Sequence, residues 1–379
     1  MRTLSLLFLF LAPLSLFAQL TPQTEAKIDQ LFSHVNATTP GYAVAVIQDT
    51  SFLYKKGYGM AHLEYDIPIT SRSVFNVASL SKQFTAACVA LLMLDKKLSL
   101  EDSVYHFFSE FPEHAKGLQI KHLIYMTSGI NDYYYNPRAN GSDWSSLHFF
   151  SVDTAIAASL GDEALMYEPG TRWSYSNINY MLLTKIVEKV SGQRFATFAK
   201  ERLFKPLGMT QSLIHDDLFA VIPNRVMAYN YRDEENTGWM LEHGYLPEKG
   251  EGFLQINRHS PHYGGSGVFT SVEDLKKWTD NFHTRAFGGD AFYELMHKRM
   301  KFDHPKDNDA LGLVFGEFQG HEMVWYEGGD WGVSSYMMRF PKEKLTVICL
   351  SNLGTGRAQK YAHQLMEVLL EEGAVNWEP

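Results

Sequence analysis

Apolar residues in this chain fall into separated blocks whose spacing changes from strand-like to helix-like and back. Gly41 to Gln48 is apolar at most positions, and Ser51 to Tyr58 follows after Asp49-Thr50. Two such runs around a polar pair predict strands joined as a hairpin. The run Ala86 to Leu94 is apolar nearly all round, which predicts a buried helix ending near Asp95-Lys96-Lys97. From Glu101 to about Tyr263 the pattern is mostly helical with long polar and aromatic loops. Ile178 to Val190 and Thr197 to Leu203 are amphipathic there, and Pro206-Leu207-Gly208-Met209 stops the second. Strand patterns return at Leu313 to Phe318, Glu322 to Tyr326, Ser334 to Phe340 and Leu345 to Leu350, with Gly or Pro/Lys turns between them. A last helix is predicted from about Ala358 to Leu370. Strands at both ends and helices between them predict an α/β (α+β type) fold. One sheet is built from both ends of the chain, and a helical region is inserted.

The first residues add a separate signal. Met1-Arg2-Thr3 is followed by an apolar stretch from Leu4 to Phe17 and then Ala18-Gln19. A charged start, an apolar middle too short to span a bilayer comfortably and a small residue predict a signal peptide over 1–18. The other reading is an uncleaved N-terminal anchor. The expected organisation is therefore a signal peptide at 1–18, a sheet domain from 22–100 plus 265–379, and a helical insertion at 101–264. Export, to a periplasm or the medium, follows from the leader. No later segment is long and apolar enough to span a membrane.

Composition narrows the partners. The formal net charge is −9, and no Lys/Arg-rich block occurs, which argues against nucleic acid and anionic membrane surfaces. Apolar content of 45% with 14% aromatic residues predicts a folded globular chain. The two cysteines, Cys88 and Cys349, sit in apolar runs and read as buried thiols; one pair in an exported chain also permits a disulfide. His259 and His262 are three apart in a loop-like segment, and no Cys/His group has zinc spacing, so no metal and no cofactor are expected.

Three constellations carry candidate chemistry. The first is Ser79-Leu80-Ser81-Lys82, just ahead of the apolar helix. If a helix starts at Ser79, its hydroxyl and the Lys82 amine share a face. The helix dipole there favours an alkoxide, and a desolvated lysine is a base able to activate a serine. The ordinary alternative is a helix cap followed by a solvated lysine. The second is Glu168-Pro169-Gly170 through Tyr175-Ser176-Asn177 to Tyr180. It reads either as a turn and helix cap, or as a proton-transferring phenol at Tyr175 with a hydrogen-bonding amide at Asn177. The third is Trp325 to Val333, with Gly328 and Gly329 beside a strand end, where a substrate backbone can come close. A backbone N–H there, with that of Ser79, would make an oxyanion hole. The aromatic run Tyr133 to Trp144 and residues Trp239, His262 and Trp331 are candidate pocket walls; local packing, and an ordinary loop histidine, are the plainer readings.

Together these segments resemble the serine β-lactamase/penicillin-binding-protein-like hydrolases, in the branch holding class C β-lactamases, D-aminopeptidases and family VIII esterases. The resemblance covers nearly the whole chain after residue 18. It includes Pro68-Ile69-Thr70 before Val74-Phe75, Lys97 to Asp102, Thr127-Ser128-Gly129, Pro206 to Met209, Gly267 to Leu275 and Arg339-Phe340-Pro341. It implies a β-lactamase/transpeptidase-like fold, with Ser79 as acylated nucleophile and Lys82 as its paired lysine. Tyr175 matches the general base/acid and Asn177 the amide that contacts lysine and substrate. Tyr326-Glu327-Gly328 falls where that family carries Lys-Thr-Gly or His-x-Gly, and Gly329 falls where the second oxyanion N–H is supplied. The departure is Tyr326: a phenol donates a hydrogen bond but brings no positive charge. That weakens penicillinase and carboxypeptidase readings and favours a neutral ester or amide. The expected function is a serine hydrolase acting on a small ester, amide or peptide. The alternatives are a class C-like β-lactamase, or a penicillin-binding sensor with little turnover. Oligomeric state is not legible.

Overall fold

The computed structural model describes residues 20–133, 150–161, 164–242, 244, 246, 248, 250–257, 262–300, 309–354 and 357–377. The signal peptide expected at 1–18 and the aromatic run from Tyr134 to Trp144 lie outside them. Among the described residues the main sheet has six strands: β1 (Tyr42–Gln48), β2 (Ser51–Tyr58), β3 (Val314–Phe318), β4 (His321–Asp330), β5 (Val333–Phe340) and β6 (Leu345–Ser351). Their order is β3-β4-β5-β6-β1-β2, antiparallel throughout. The two ends of the chain meet at the β6–β1 pair, where Tyr42 lies opposite Ser351 and Gln48 opposite Leu345.

The labelled helices are α1 (Pro22–Leu31), α2 (Lys82–Leu94), α3 (Asn177–Ser191), α4 (Val272–Thr284) and α5 (Ala358–Glu371). Strand alternation sorts the sheet's side chains between two cores. Tyr42, Val44, Val46, Tyr336, Met338, Val347 and Cys349 pack with Ile28 of α1 and Leu365, Met366 and Leu369 of α5. Ala43, Ala45, Ile47, Met337, Ile348 and Leu350 share the other core with α2 and with Trp278 of α4. Both faces are covered, so β1, β5 and β6 are buried along their whole length. That is why β1 and β6 read as nearly continuous apolar runs, while β5 also buries Ser334, Ser335 and Arg339. Cys88 of α2 and Cys349 belong to different cores, and both are free thiols.

Helix α2 lies at the centre of the larger core. Every residue from Lys82 to Leu92 is buried, and the helix stops at Asp95, followed by Lys96 with φ +58°. Phe84 meets Trp278 and Phe204 with ring centroids 5.0 and 5.6 Å apart. Burying one such ring contributes about 2–3 kcal/mol.

The structure departs from the sequence pattern in three places. A 3₁₀ turn, Ala78–Ser81, precedes α2, so Ser79 stands ahead of the α-helix rather than at its first residue. Strand β4 runs on through Gly328-Gly329 to Asp330 instead of ending at Tyr326, because Gly328, Gly329 and Asp330 pair with Ser335, Ser334 and Val333. The region between 101 and 264 also holds short strands: Ala228–Tyr231 pairs with Phe253–Ile256, and Leu213–Ile214 pairs with Val268–Thr270. Strands of two to four residues are too short to show a period.

Candidate active site

The nucleophile turn is held by a small sheet. Phe75–Asn76 pairs with Val268–Thr270, the Val77 N–H donates to the Val268 carbonyl at 3.0 Å, and the Val268 N–H donates to Ser81 Oγ at 3.0 Å. Ala78 takes φ +45°, and its N–H donates to Asn76 Oδ1 at 3.0 Å. A left-handed alanine costs about 1–2 kcal/mol, so the surrounding bonds hold a strained entry into the turn. In a 3₁₀ turn residues three apart eclipse. Ser79 Oγ and Lys82 Nζ are accordingly 3.2 Å apart.

Lys82 begins a helix buried on every side, and its side chain is itself fully buried. Burial lowers its ammonium from the ordinary lysine value to about 7, opposed by the Asp132 carboxylate. Its Nζ donates to Asn177 Oδ1 at 2.9 Å and to the Gly265 carbonyl at 2.7 Å, and lies 2.5 Å from the Tyr175 hydroxyl. Asn177 Oδ1 and the Gly265 carbonyl only accept. A neutral amine has two N–H donors and one lone pair, so satisfying both leaves the lone pair for the hydroxyls of Tyr175 and Ser79. Those hydroxyls are 2.6 Å apart. The rings of Tyr175 and Tyr180 also face Nζ, at 4.6 and 5.7 Å from their centroids.

The start of α3 shows how Tyr175-Ser176-Asn177 is held. Ser176 is the N-cap residue, but its side chain makes no capping bond. The buried Asp132 carboxylate instead accepts the Asn177 N–H from outside the helix. The Asn177 side chain is thereby left to meet Lys82. Asp132 and Gly265 were not singled out from the sequence. The carbonyls of Gly264 and Gly265 receive Thr85 Oγ1, at 2.8 Å, and Lys82 Nζ, at 2.7 Å.

Strand β4 forms the other wall. Its partner β3 reaches only to Val314, opposite Trp325, so on that side no described strand pairs with Tyr326 to Asp330. This edge opens into a cleft of about 770 Å³ lined by Ser79, Tyr175, Asn177 and every residue from Trp325 to Trp331. Gly328 lies against the nucleophile turn: a Cβ there would stand 2.2 Å from the Val77 carbonyl oxygen and 2.9 Å from Ser79 N. At Gly329 a Cβ would meet nothing within 4 Å. Tyr326 is partly buried. Desolvation first, then the charges of Tyr175, Tyr180, Asp309 and Glu327, push its hydroxyl well above the ordinary phenol value, so it is a donor. The Trp173 indole N–H, also at the cleft, donates to Asp309 Oδ2 at 2.7 Å.

Of the candidate wall residues, Trp331 lines the cleft. His262 is buried beside Asp330, 3.6 Å from its carboxylate, and stacks on Phe150, whose ring also meets Tyr133. Trp239 lies in the helix Glu234–Glu242; its side chain is outside the described ones.

Residues 28–370 match the family model described as Beta-lactamase. The chain belongs to the beta-lactamase family. It is 30% identical to penicillin-binding protein 4* of Bacillus subtilis, over 82% of this chain and 67% of that protein. It is 26% identical to a D-aminopeptidase of Gluconobacter oxydans, over 83% of this chain and 56% of that protein. The chain thus spans between about half and two thirds of these curated relatives. Among solved structures, an octameric penicillin-binding protein homologue from Pyrococcus abyssi has a TM-score of 0.74 at 24% identity, covering 93% of this chain and 77% of that one. A D-amino acid amidase from Ochrobactrum anthropi SV3 has 0.73 at 18% identity, covering 93% and 99%. These likenesses show that the fold is the family's mixed α/β architecture, an antiparallel sheet with helices.

Proposed function

We propose that the protein is a serine hydrolase that works through an acyl-enzyme on Ser79, with a small ester, amide or peptide as substrate. The observation that carries this reading is the buried nest in which Lys82, its ammonium lowered by burial to about 7, lies within hydrogen-bond reach of the Tyr175 and Ser79 hydroxyls. Ser79 Oγ attacks the substrate carbonyl carbon, and its proton passes to Tyr175 and Lys82. The developing oxyanion is held by the Ser79 and Gly329 N–H groups. Collapse breaks the bond to the leaving group, which takes a proton back from Tyr175. Water, deprotonated by the same pair, then attacks the acyl carbon; the bond to Ser79 Oγ breaks, Oγ takes that proton back, and the acid is released. Asn177 fixes Lys82, Tyr326 donates to substrate, and Gly328 keeps β4 close to Ser79. No metal or cofactor enters these steps.

The D-aminopeptidase relatives and the D-amino acid amidase neighbour support an amide or peptide substrate. Tyr326 in place of a cation favours a second reading, a penicillin-binding sensor that acylates with little turnover. The apolar stretch Leu4 to Phe17 followed by Ala18 supports export. We also take 22–100 with 265–379 as the sheet domain and 101–264 as the insertion.

The test is initial rates on a p-nitrophenyl acyl ester and on a chromogenic cephalosporin, with Ser79→Ala as the blank. Ser79-dependent ester turnover with little cephalosporin cleavage is expected. Equal rates for wild type and Ser79→Ala would sink the assignment; fast cephalosporin turnover would restore a β-lactamase, and a stable adduct without turnover a sensor.

A further inference from the structure

The cleft does not end at the face of the sheet that carries Ser79. Register divides β4 into two sets of side chains. Val324, Tyr326 and Gly328 lie opposite Arg339, Met337 and Ser335, on the α2 side. Trp325, Glu327 and Gly329 lie opposite Met338, Tyr336 and Ser334, on the α5 side. The cleft is lined by both sets and by Gln359 of α5, so it wraps around the open strand edge. A substrate held at Ser79 and following that edge therefore reaches the α5 side.

Three groups define what it meets there. The Trp325 ring stacks on Tyr336, with centroids 5.8 Å apart at 27°. Tyr336 is hydrogen-bonded to Gln359 and contacts His363 Nε2 at 3.1 Å, which fixes this wall. Glu327 is exposed within the cleft, and among the described residues no lysine, arginine or histidine pairs with it. An unneutralised carboxylate beside an indole face attracts an ammonium group both by charge and by the ring's quadrupole, and it repels a carboxylate.

We infer that Trp325, Glu327 and Gln359 form a specificity subsite that selects esters or amides bearing an ammonium group over those bearing a carboxylate. The inference rests on the serine-hydrolase reading, since the subsite acts only on a substrate held at Ser79. Glu327 touches neither the nucleophile nor its base; it sets which substrates are held.

Two series of esters test it. In the first the acyl chain carries the charge: p-nitrophenyl esters of 6-aminohexanoic acid, hexanoic acid and adipic acid. In the second the leaving group does: hexanoate esters of 4-(aminomethyl)phenol, 4-methylphenol and 4-hydroxyphenylacetic acid. In at least one series, kcat/KM is expected to fall from ammonium to neutral to carboxylate, by about tenfold end to end, the scale of one unit charge facing another near a protein surface. Glu327→Gln should bring the ratio of the end members close to one, and Glu327→Lys should invert it. Raised salt should shrink the wild-type ratio. A ratio unchanged in Glu327→Gln, or no ranking in either series, overturns the inference while leaving Ser79-dependent turnover intact. Equal turnover by wild type and Ser79→Ala is a different failure, that of the hydrolase reading itself.

Discussion

The two walls of the cleft are built on opposite principles. Around Lys82 polar groups converge: Ser79, Tyr175, Asn177 and the Gly265 carbonyl crowd one buried amine. Along Tyr326 to Asp330 the chain presents a strand edge that no described strand covers. The first wall is over-determined, so a change there leaves a buried donor or acceptor without a partner. The second is open, so a side chain can change what the cleft accepts while the chemistry stays in place. On the proposed mechanism the nucleophile and its base sit on the closed wall, while the open one supplies the Gly329 N–H and the side chains that face the substrate.

The strongest way to break this contrast is to remove the amine. Lys82→Met should lower kcat/KM on a p-nitrophenyl ester by about 10²–10⁴-fold, the range for loss of a positioned base. A loss under about tenfold in stopped-flow or steady-state rates would mean that Tyr175 needs no help from Lys82. Next in size is a pair of single methyl groups on adjacent residues. Gly328→Ala drives a Cβ into the Val77 carbonyl and Ser79 N, and should cost about 10²-fold by displacing the nucleophile. Gly329→Ala meets open space and keeps its N–H, so the loss should stay within about threefold. Similar losses for the two would erase the distinction between the face of β4 that packs on the nucleophile turn and the face that is open.

The smallest effect expected is in pH dependence, and it sharpens the contrast. The proposed mechanism takes the neutral Lys82 amine as the active form, so kcat/KM should rise with pH through about 7. The same depression bears on stability. Between about 7 and the ordinary lysine value, the unfolded chain binds a proton that the native state does not. Stability from this site therefore rises with pH across that window, and the full cost of burying the charge applies below it. Relative to Lys82→Met, the melting temperature of the wild type should climb between pH 7 and 9. A flat difference would show that the buried amine is not neutral there.

Much of this arrangement was legible in the chain. The interval from Ser79 to Lys82, followed by a helix apolar on all sides, already implied a desolvated base beside a hydroxyl. The late apolar runs implied the strands that close on Tyr42 to Gln48. What stayed hidden were partners remote in sequence. Asp132 supplies the helix cap that Ser176 does not, and the Gly265 carbonyl takes one proton of Lys82. Neither has a local pattern, because a carboxylate and a peptide carbonyl look the same in sequence wherever they fold. The glycines of β4 misled in the opposite direction: read locally they end a strand, yet pairing with β5 carries it on to Asp330.

By itself, then, the sequence determined the elements and the reactive residue types, because helical and strand periods, turn residues and three-residue spacing are local properties of a chain. Tertiary structure decided the depressed Lys82 ammonium, the freed Asn177 side chain and the cleft that wraps β4. Each depends on burial and on contacts between segments far apart in the chain, from 45 residues for Asp132 and Asn177 to 183 for Lys82 and Gly265, and local spacing does not encode these.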